Sequence, residues 1–216
     1  MLIWAITLTG ITANTLISPV LPDIVDDFGR SDAAAGPLVA AASLPGVVAA
    51  PVIGLMADRF GRRNVVVPCL AILGTTGLVS AIAPSYWVLV AARLLMGFGT
   101  AGLINLAVVL IGDHWEGSER VRQVGRNAAV LTSGLALLPL LSGALAALGG
   151  WRLSLAPSAL GLVTAAAAWI LLDNVRPPHA DLALGDQLRA AADALRSPAM
   201  AATVASGFLI FVMIFG

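Results

Sequence analysis

Long uncharged stretches alternate with short charged ones along the chain. Runs of roughly twenty mostly apolar residues fall near 2 to 22, 33 to 56, 65 to 83, 86 to 111, 127 to 148 and 153 to 172, with a further run from 199 to 216. A helix needs about 20 such residues to cross a hydrocarbon core of about 30 Å. A β-barrel would instead alternate polar and apolar positions in stretches of about ten. These runs are continuous, rich in Ala and Leu and interrupted by Gly and Pro, so they read as transmembrane helices and the fold class as all-α, a polytopic membrane helix bundle. The expected organisation is a six-helix unit over 1–173, a connecting segment over 174–198 and the start of a seventh span over 199–216. Within the connection, Leu184, Leu188, Ala191 and Leu195 recur at helical spacing opposite Asp186, Arg189, Asp193 and Arg196. That pattern fits a helix lying along the interface or a solvated linker helix. The first span follows Met1 with no preceding basic residue and no small-residue cleavage site, which argues against a cleaved signal peptide.

Composition agrees with this pattern. Of 216 residues, 59% are apolar and 11% charged, which does not describe a soluble chain. The twelve basic residues are all Arg and balance twelve acids, so there is no net charge to draw the chain to nucleic acid. A lone cysteine, Cys69, builds neither a disulfide framework nor a thiolate metal site. His114 and His179 fall in loops, and no P-loop, dinucleotide glycine pattern, nucleophile elbow or metal-ligand cluster is present. The reading is therefore of a non-enzyme without a cofactor. The Arg residues also orient it: Arg59, Arg62 and Arg63, then Arg120, Arg122 and Arg126, then Arg176, Arg189 and Arg196 mark alternate connections, whereas the others carry only Arg30 and Arg152. By the positive-inside rule the Arg-rich loops are cytoplasmic, the amino terminus is cytoplasmic, and the acidic loop of Asp23, Asp26, Asp27 and Asp32 lies outside. The expected location is the cell membrane, inner or plasma, with multiple passes.

The most informative segment joins the second and third spans: Gly54, Leu55, Asp58, Arg59, Gly61, Arg62 and Arg63. Glycines there permit close approach and a tight turn, Asp58 is expected to end a helix, and the Arg residues can hold it by charge-assisted hydrogen bonds. A generic positive-inside loop explains the Arg residues but not the Gly, Asp, Gly, Arg spacing. The segment resembles the signature loop G-x-L-x-D-R-x-G-R-R of the major facilitator superfamily. Pro19, Leu21, Pro22, Ile24, Asp27 and Phe28 are similar to the family's first-span ending, Arg93 and Gly97 to its fourth-span motif, and Gly150, Trp151 and Arg152 to a triplet of its exporters. The resemblance implies an amino-terminal transporter half. It also implies a cytoplasmic latch in which Asp58 and Arg62 cluster with Asp113, the acid ending the fourth span.

Arg93 is the single ionised side chain well inside an expected span. At a helix centre Arg costs about 2.5 to 3.5 kcal/mol, so it either faces the bundle interior or snorkels to the outer headgroups, about 10 Å away at helical rise. The resemblance connects an Arg here with substrate or proton coupling. Gly97, Ala101 and Asn105 follow at steps of four and read as a small, polar stripe lining a pathway. Thr7, Gly10, Asn14 and Ser18 on the first span, and Gly36, Ala40, Ser43, Ala50 and Gly54 on the second, read mostly as packing positions. Asn14 is the exception, either a substrate contact or a bridge between helices. In the fifth span Gly134, Pro139, Ser142 and Gly143 partly resemble the family's antiporter motif, with Leu138 and Ser142 where that motif has glycine. Pro139 is expected to bend the helix.

The expected function is secondary transport of a small-molecule substrate by alternating access, as export in exchange for protons. Asn14, Arg93 and Asn105 are the pathway candidates. No acid lies in mid-span, so a proton would have to use Asp23 or a group elsewhere. The expected partners are the lipid bilayer and a missing carboxy-terminal half, the chain being read as a fragment. The alternatives are a half-size transporter that pairs with a second copy, and a non-transporting scaffold or receptor.

Overall fold

The computed structural model describes residues 1–174, which are helical apart from short connections. All of the expected connecting segment but its first residue, and the whole expected seventh span, lie outside the described residues. The first span is bent: α1 (Leu2–Thr15) passes through a single 3-10 turn (Ser18–Val20) into α2 (Leu21–Asp27). Pro19 and Pro22 each stand near the start of a helical piece, where a missing N–H does no harm but a continuous helix cannot run through. α3 (Ala35–Phe60) ends only at Gly61, whose φ of +91° closes the helix at small cost because no Cβ is present. α4 (Arg62–Ala81) starts at the next residue. Asp58 therefore sits in the last turn of α3 rather than ending it. The expected boundary tracked the edge of the uncharged run, whereas the helix continues until the backbone itself breaks.

α5 (Tyr86–Thr100), with the Ser85 side chain at its cap, and α6 (Leu103–His114) form the fourth span, interrupted at Ala101 and Gly102. α7 (Gly117–Leu155) keeps helical dihedrals through Pro139 and loses them only at Gly149 and Gly150, where φ reaches +74°. Five apolar helical stretches are long enough to cross a bilayer, and the last, Gly117–Leu171, has 55 residues. At a rise of about 1.5 Å per residue that length far exceeds one crossing. The break at Gly149 and Gly150 divides it into two, the second continuing through Ala156–Ala159 into α8 (Leu160–Leu171). Six apolar helical stretches result, one in the place of each expected crossing.

Glycines let the spans approach closely. A Cβ on Gly97 would lie 2.5 Å from the Ala42 carbonyl of α3, one on Gly99 2.8 Å from the Cys69 carbonyl of α4, and one on Gly74 2.6 Å from the Leu162 nitrogen of α8. Polar side chains reinforce the fit. Thr7 donates to Asn127 at 2.6 Å, Thr9 and Thr164 pair at 3.2 Å, and Ser142 donates to the Leu16 carbonyl while accepting at its own carbonyl from Ser154. α1 is thus bonded to both the fifth and sixth spans. Trp4, Trp115 and Trp169 stand near helix ends at the Arg-rich side, and Trp87 and Trp151 near those at the acidic side, as two interfacial belts would require.

The small-residue stripe of α3 departs from its expected packing role. A Cβ at Gly36 or at Gly54 would meet nothing within 4 Å, and Ser43 is exposed. α3 packs instead through its other side, where Leu38, Ala41, Ala42, Ala49 and Ile53 are buried.

Candidate functional site

At the Arg-rich end the signature loop builds a charge cluster from three helices. Arg62 begins α4 with its side chain 7% exposed. Nη1 donates to Asp58 Oδ1 at 2.5 Å, one turn earlier at the end of α3, and Nε to Asp113 Oδ2 at 3.0 Å, at the end of α6. Asp113 is 23% exposed and Asp58 45%, so one buried cation sits between two carboxylates of unequal solvation. Gly61 turns the chain so that Arg62 can reach back to α3, and Asn174 is seated where a Cβ on Gly61 would be. Arg63 leaves the cluster and lies over the Trp169 ring at 4.9 Å, and the exposed Arg59 lies over Phe60 at 5.9 Å. Gly54 does not serve close packing. It opens, with Ala50, Asp58, Arg62, Gly102 and Asn105, onto a groove of about 100 Å³.

Arg93 is 1% exposed and turned into the bundle, which rejects the snorkelling alternative. Nε donates to the Leu38 carbonyl of α3 at 3.0 Å and Nη2 to the Ala13 carbonyl of α1 at 2.6 Å, with Asn14 Oδ1 at 3.5 Å. Ala13 lies in the last turn of α1, where carbonyls lack helical donors. The guanidinium supplies one across the bend of the first span. Its position is set by Gly97, which brings α5 against α3 at Ala42 and Pro45. That contact leaves no room for a solute at Gly97, so the expected lining stripe is a packing seam at this point.

The three pathway candidates are not brought together. Asn14 and Arg93 are neighbours, Asn14 exposed and Arg93 behind it, whereas Asn105 belongs to the groove beside Asp58 and Arg62. In the fifth span Gly134 packs against Leu8 and Ile11 of α1, while a Cβ at Gly143 would meet nothing and Pro139 is half-buried.

A second clasp closes the acidic end. Asp27 Oδ2 accepts from Arg152 at 2.9 Å and from the Trp151 indole at 3.1 Å, Phe28 packs on Trp151 and Tyr86, and the Tyr86 hydroxyl donates to the Ala34 carbonyl at 2.8 Å. The Asp27–Arg152 pairing, the buried Asn127 and the buried Gln123, which donates to Glu119, were not anticipated from the sequence. Isolated amides at the start of a span carry no pattern that marks them.

Together these features define a multi-pass helical membrane protein with a charged loop joining its spans at one end. The model of the Major Facilitator Superfamily matches residues 3–216, and the chain belongs to that superfamily. It is 31% identical over 140 residues to the bacillibactin exporter of Bacillus subtilis (strain 168), covering 62% of this chain and 35% of that one. It is 36% identical over 139 residues to the class C tetracycline resistance protein of Escherichia coli, covering 62% and 34%. Against the mouse (Mus musculus) sphingosine-1-phosphate transporter SPNS2 the figures are 34% over 185 residues, 83% and 33%. The matched stretches thus span about a third of the length of the curated relatives. Among solved structures, the human organic anion transporter MFSD10 (TETRAN) superposes with a TM-score of 0.69 at 21% identity, over 86% of this chain and 50% of that one. The proton:xylose symporter XylE gives 0.68 at 19% identity, over 80% and 44%. At these identities the likeness establishes the fold.

Proposed function

We propose that the chain forms the amino-terminal half of a secondary transporter that moves a small solute across the cell membrane by alternating access. The observation that carries this reading is the double pairing of Arg62 with Asp58 and Asp113, which ties α3, α4 and α6 at a single end of the bundle. Removing one partner of a buried ion pair costs about 3 to 5 kcal/mol, and half-exposure of Asp58 brings its share below that range. A bias of this size is enough to hold one of two conformations. The Arg-rich end is cytoplasmic in this reading, with the amino terminus on the same side, so the latch closes the inner mouth.

The opposite wall of the pathway is assigned to a second six-span half, in keeping with relatives of which the matched stretch makes up only about a third. The open stripe of Gly36, Ser43 and Gly54 on α3 is the face available to it. Asn14 and Arg93 are placed on the solute pathway, and Asn105 beside the latch. Export is favoured over import because two relatives are named as an exporter and a resistance protein. Proton exchange is the proposed coupling, through a carboxylate outside the mid-span regions of this half.

The test is solute flux in proteoliposomes by the full-length protein, with and without an imposed proton gradient, for wild type and Asp58→Asn. Gradient-dependent flux that falls at least tenfold in the variant, at equal insertion, supports the reading. Wild-type rates in the variant reject the latch, and absence of flux for every solute class rejects transport.

A further inference from the structure

Among the described residues Arg93 has no opposite charge beside it. Its hydrogen bonds in the described residues all end on neutral oxygens: two backbone carbonyls and the Asn14 amide. Every acid among the described residues lies in a connection or in the first or last turn of a helix, away from α5 at this depth. Neutral dipoles solvate a cation but leave its formal charge in place, and in a medium of low dielectric that charge attracts an anion far more strongly than in water. Nη1 donates to none of the described residues, while Nη2 meets Asn14 Oδ1 only at 3.5 Å, the outer limit of a hydrogen bond. The weakest contact is therefore the one on the exposed side. An incoming acceptor can replace it without disturbing the shorter bonds that fix the guanidinium to α1 and α3.

We propose that the edge of Arg93 behind Asn14 receives the carboxylate of the transported solute, with the Asn14 amide turning to donate its N–H to the same group. The inference rests on the transport reading and narrows it to organic anions. A carboxylate suits a guanidinium fork by charge and by planar geometry. An ammonium at the same place would face an unscreened like charge, and an alcohol would gain a single neutral hydrogen bond.

The test uses the full-length protein in proteoliposomes, with a panel of radiolabelled aliphatic and aromatic carboxylic acids, the alcohol and amine of each skeleton, and inorganic phosphate. The carboxylates are expected to be carried at least tenfold better than their alcohols. Asn14→Asp places an intramolecular carboxylate against Arg93 and is expected to abolish that preference, and Arg93→Lys, which keeps the charge but loses the planar fork, is expected to lower it, whereas Asn14→Ser, whose hydroxyl can still donate, retains most of it. Solutes carried only as amines or alcohols, phosphate carried without any organic acid, or equal losses in Asn14→Asp and Asn14→Ser would each overturn the assignment while leaving transport standing. No flux of any compound overturns the transport reading, and this inference with it.

Discussion

The two ends of the bundle are closed by the same chemistry in opposite settings. At the Arg-rich end, a cation 7% exposed bridges two acids from different helices. At the acidic end, Arg152 and Asp27 form one pair in which each side chain is 45% exposed, laid over aromatic rings. Screening and hydration leave an exposed pair with about 0 to 1 kcal/mol, so there the clasp is held chiefly by Phe28, Trp151 and Tyr86 packing together. Buried charge leaves no such slack, because either acid left without Arg62 loses its main compensation. Ion pairs thus join three helices through a buried cation at one end and trim an aromatic joint at the surface at the other.

The sharpest way to break this comparison is Arg62→Ala. It strands Asp58 and Asp113 together and should destabilise the closed arrangement by about 3 kcal/mol, read as a fall in thermal unfolding midpoint in detergent and a loss of solute flux. A midpoint within a degree or two of wild type would mean that the cluster is solvated like its counterpart. Next, Gly97→Val tests the seam that sets Arg93. Its added carbons meet the Ala42 carbonyl at van der Waals overlap, and overpacking of this kind costs about 1 to 3 kcal/mol. Unchanged stability would show that α5 and α3 can separate. Thr7→Val should cost about 1 kcal/mol or somewhat more by leaving the buried Asn127 carbonyl oxygen unpaired, measured by the same melt. Asp27→Asn is the smallest, expected to shift stability by less than about 1 kcal/mol and to become silent at high salt. A larger loss, insensitive to salt, would place the acidic-end pair in the same class as Arg62.

How much of this was legible in the sequence follows from the same physics. The crossings could be read from the uncharged runs because hydrocarbon excludes charge outright, and the pairing of Asp58, Arg62 and Asp113 from the family resemblance. Which side of each helix packs was not legible. Both the bundle interior and the lipid are apolar, so no periodic contrast separates them, and the stripe on α3 was assigned to packing although its glycines stand open. Asn105 was grouped with Arg93 by helical register alone. The interruption at Ala101 and Gly102 and the seam at Gly97 put the two residues in different places. In α7 the dihedrals depart from helical values at Gly149 and Gly150, between the expected fifth and sixth spans. A proline removes a donor, whereas paired glycines remove the side chains that hold φ negative.

The central claim is that the Arg62 cluster governs access to the interior face that carries Asn14 and Arg93. Its most direct test is labelling of Asn14→Cys by a membrane-impermeant maleimide from the cytoplasmic side, in a cysteine-free full-length background, with and without Arg62→Ala. The account predicts that breaking the cluster raises labelling several-fold. Equal labelling with the cluster intact and broken would contradict it.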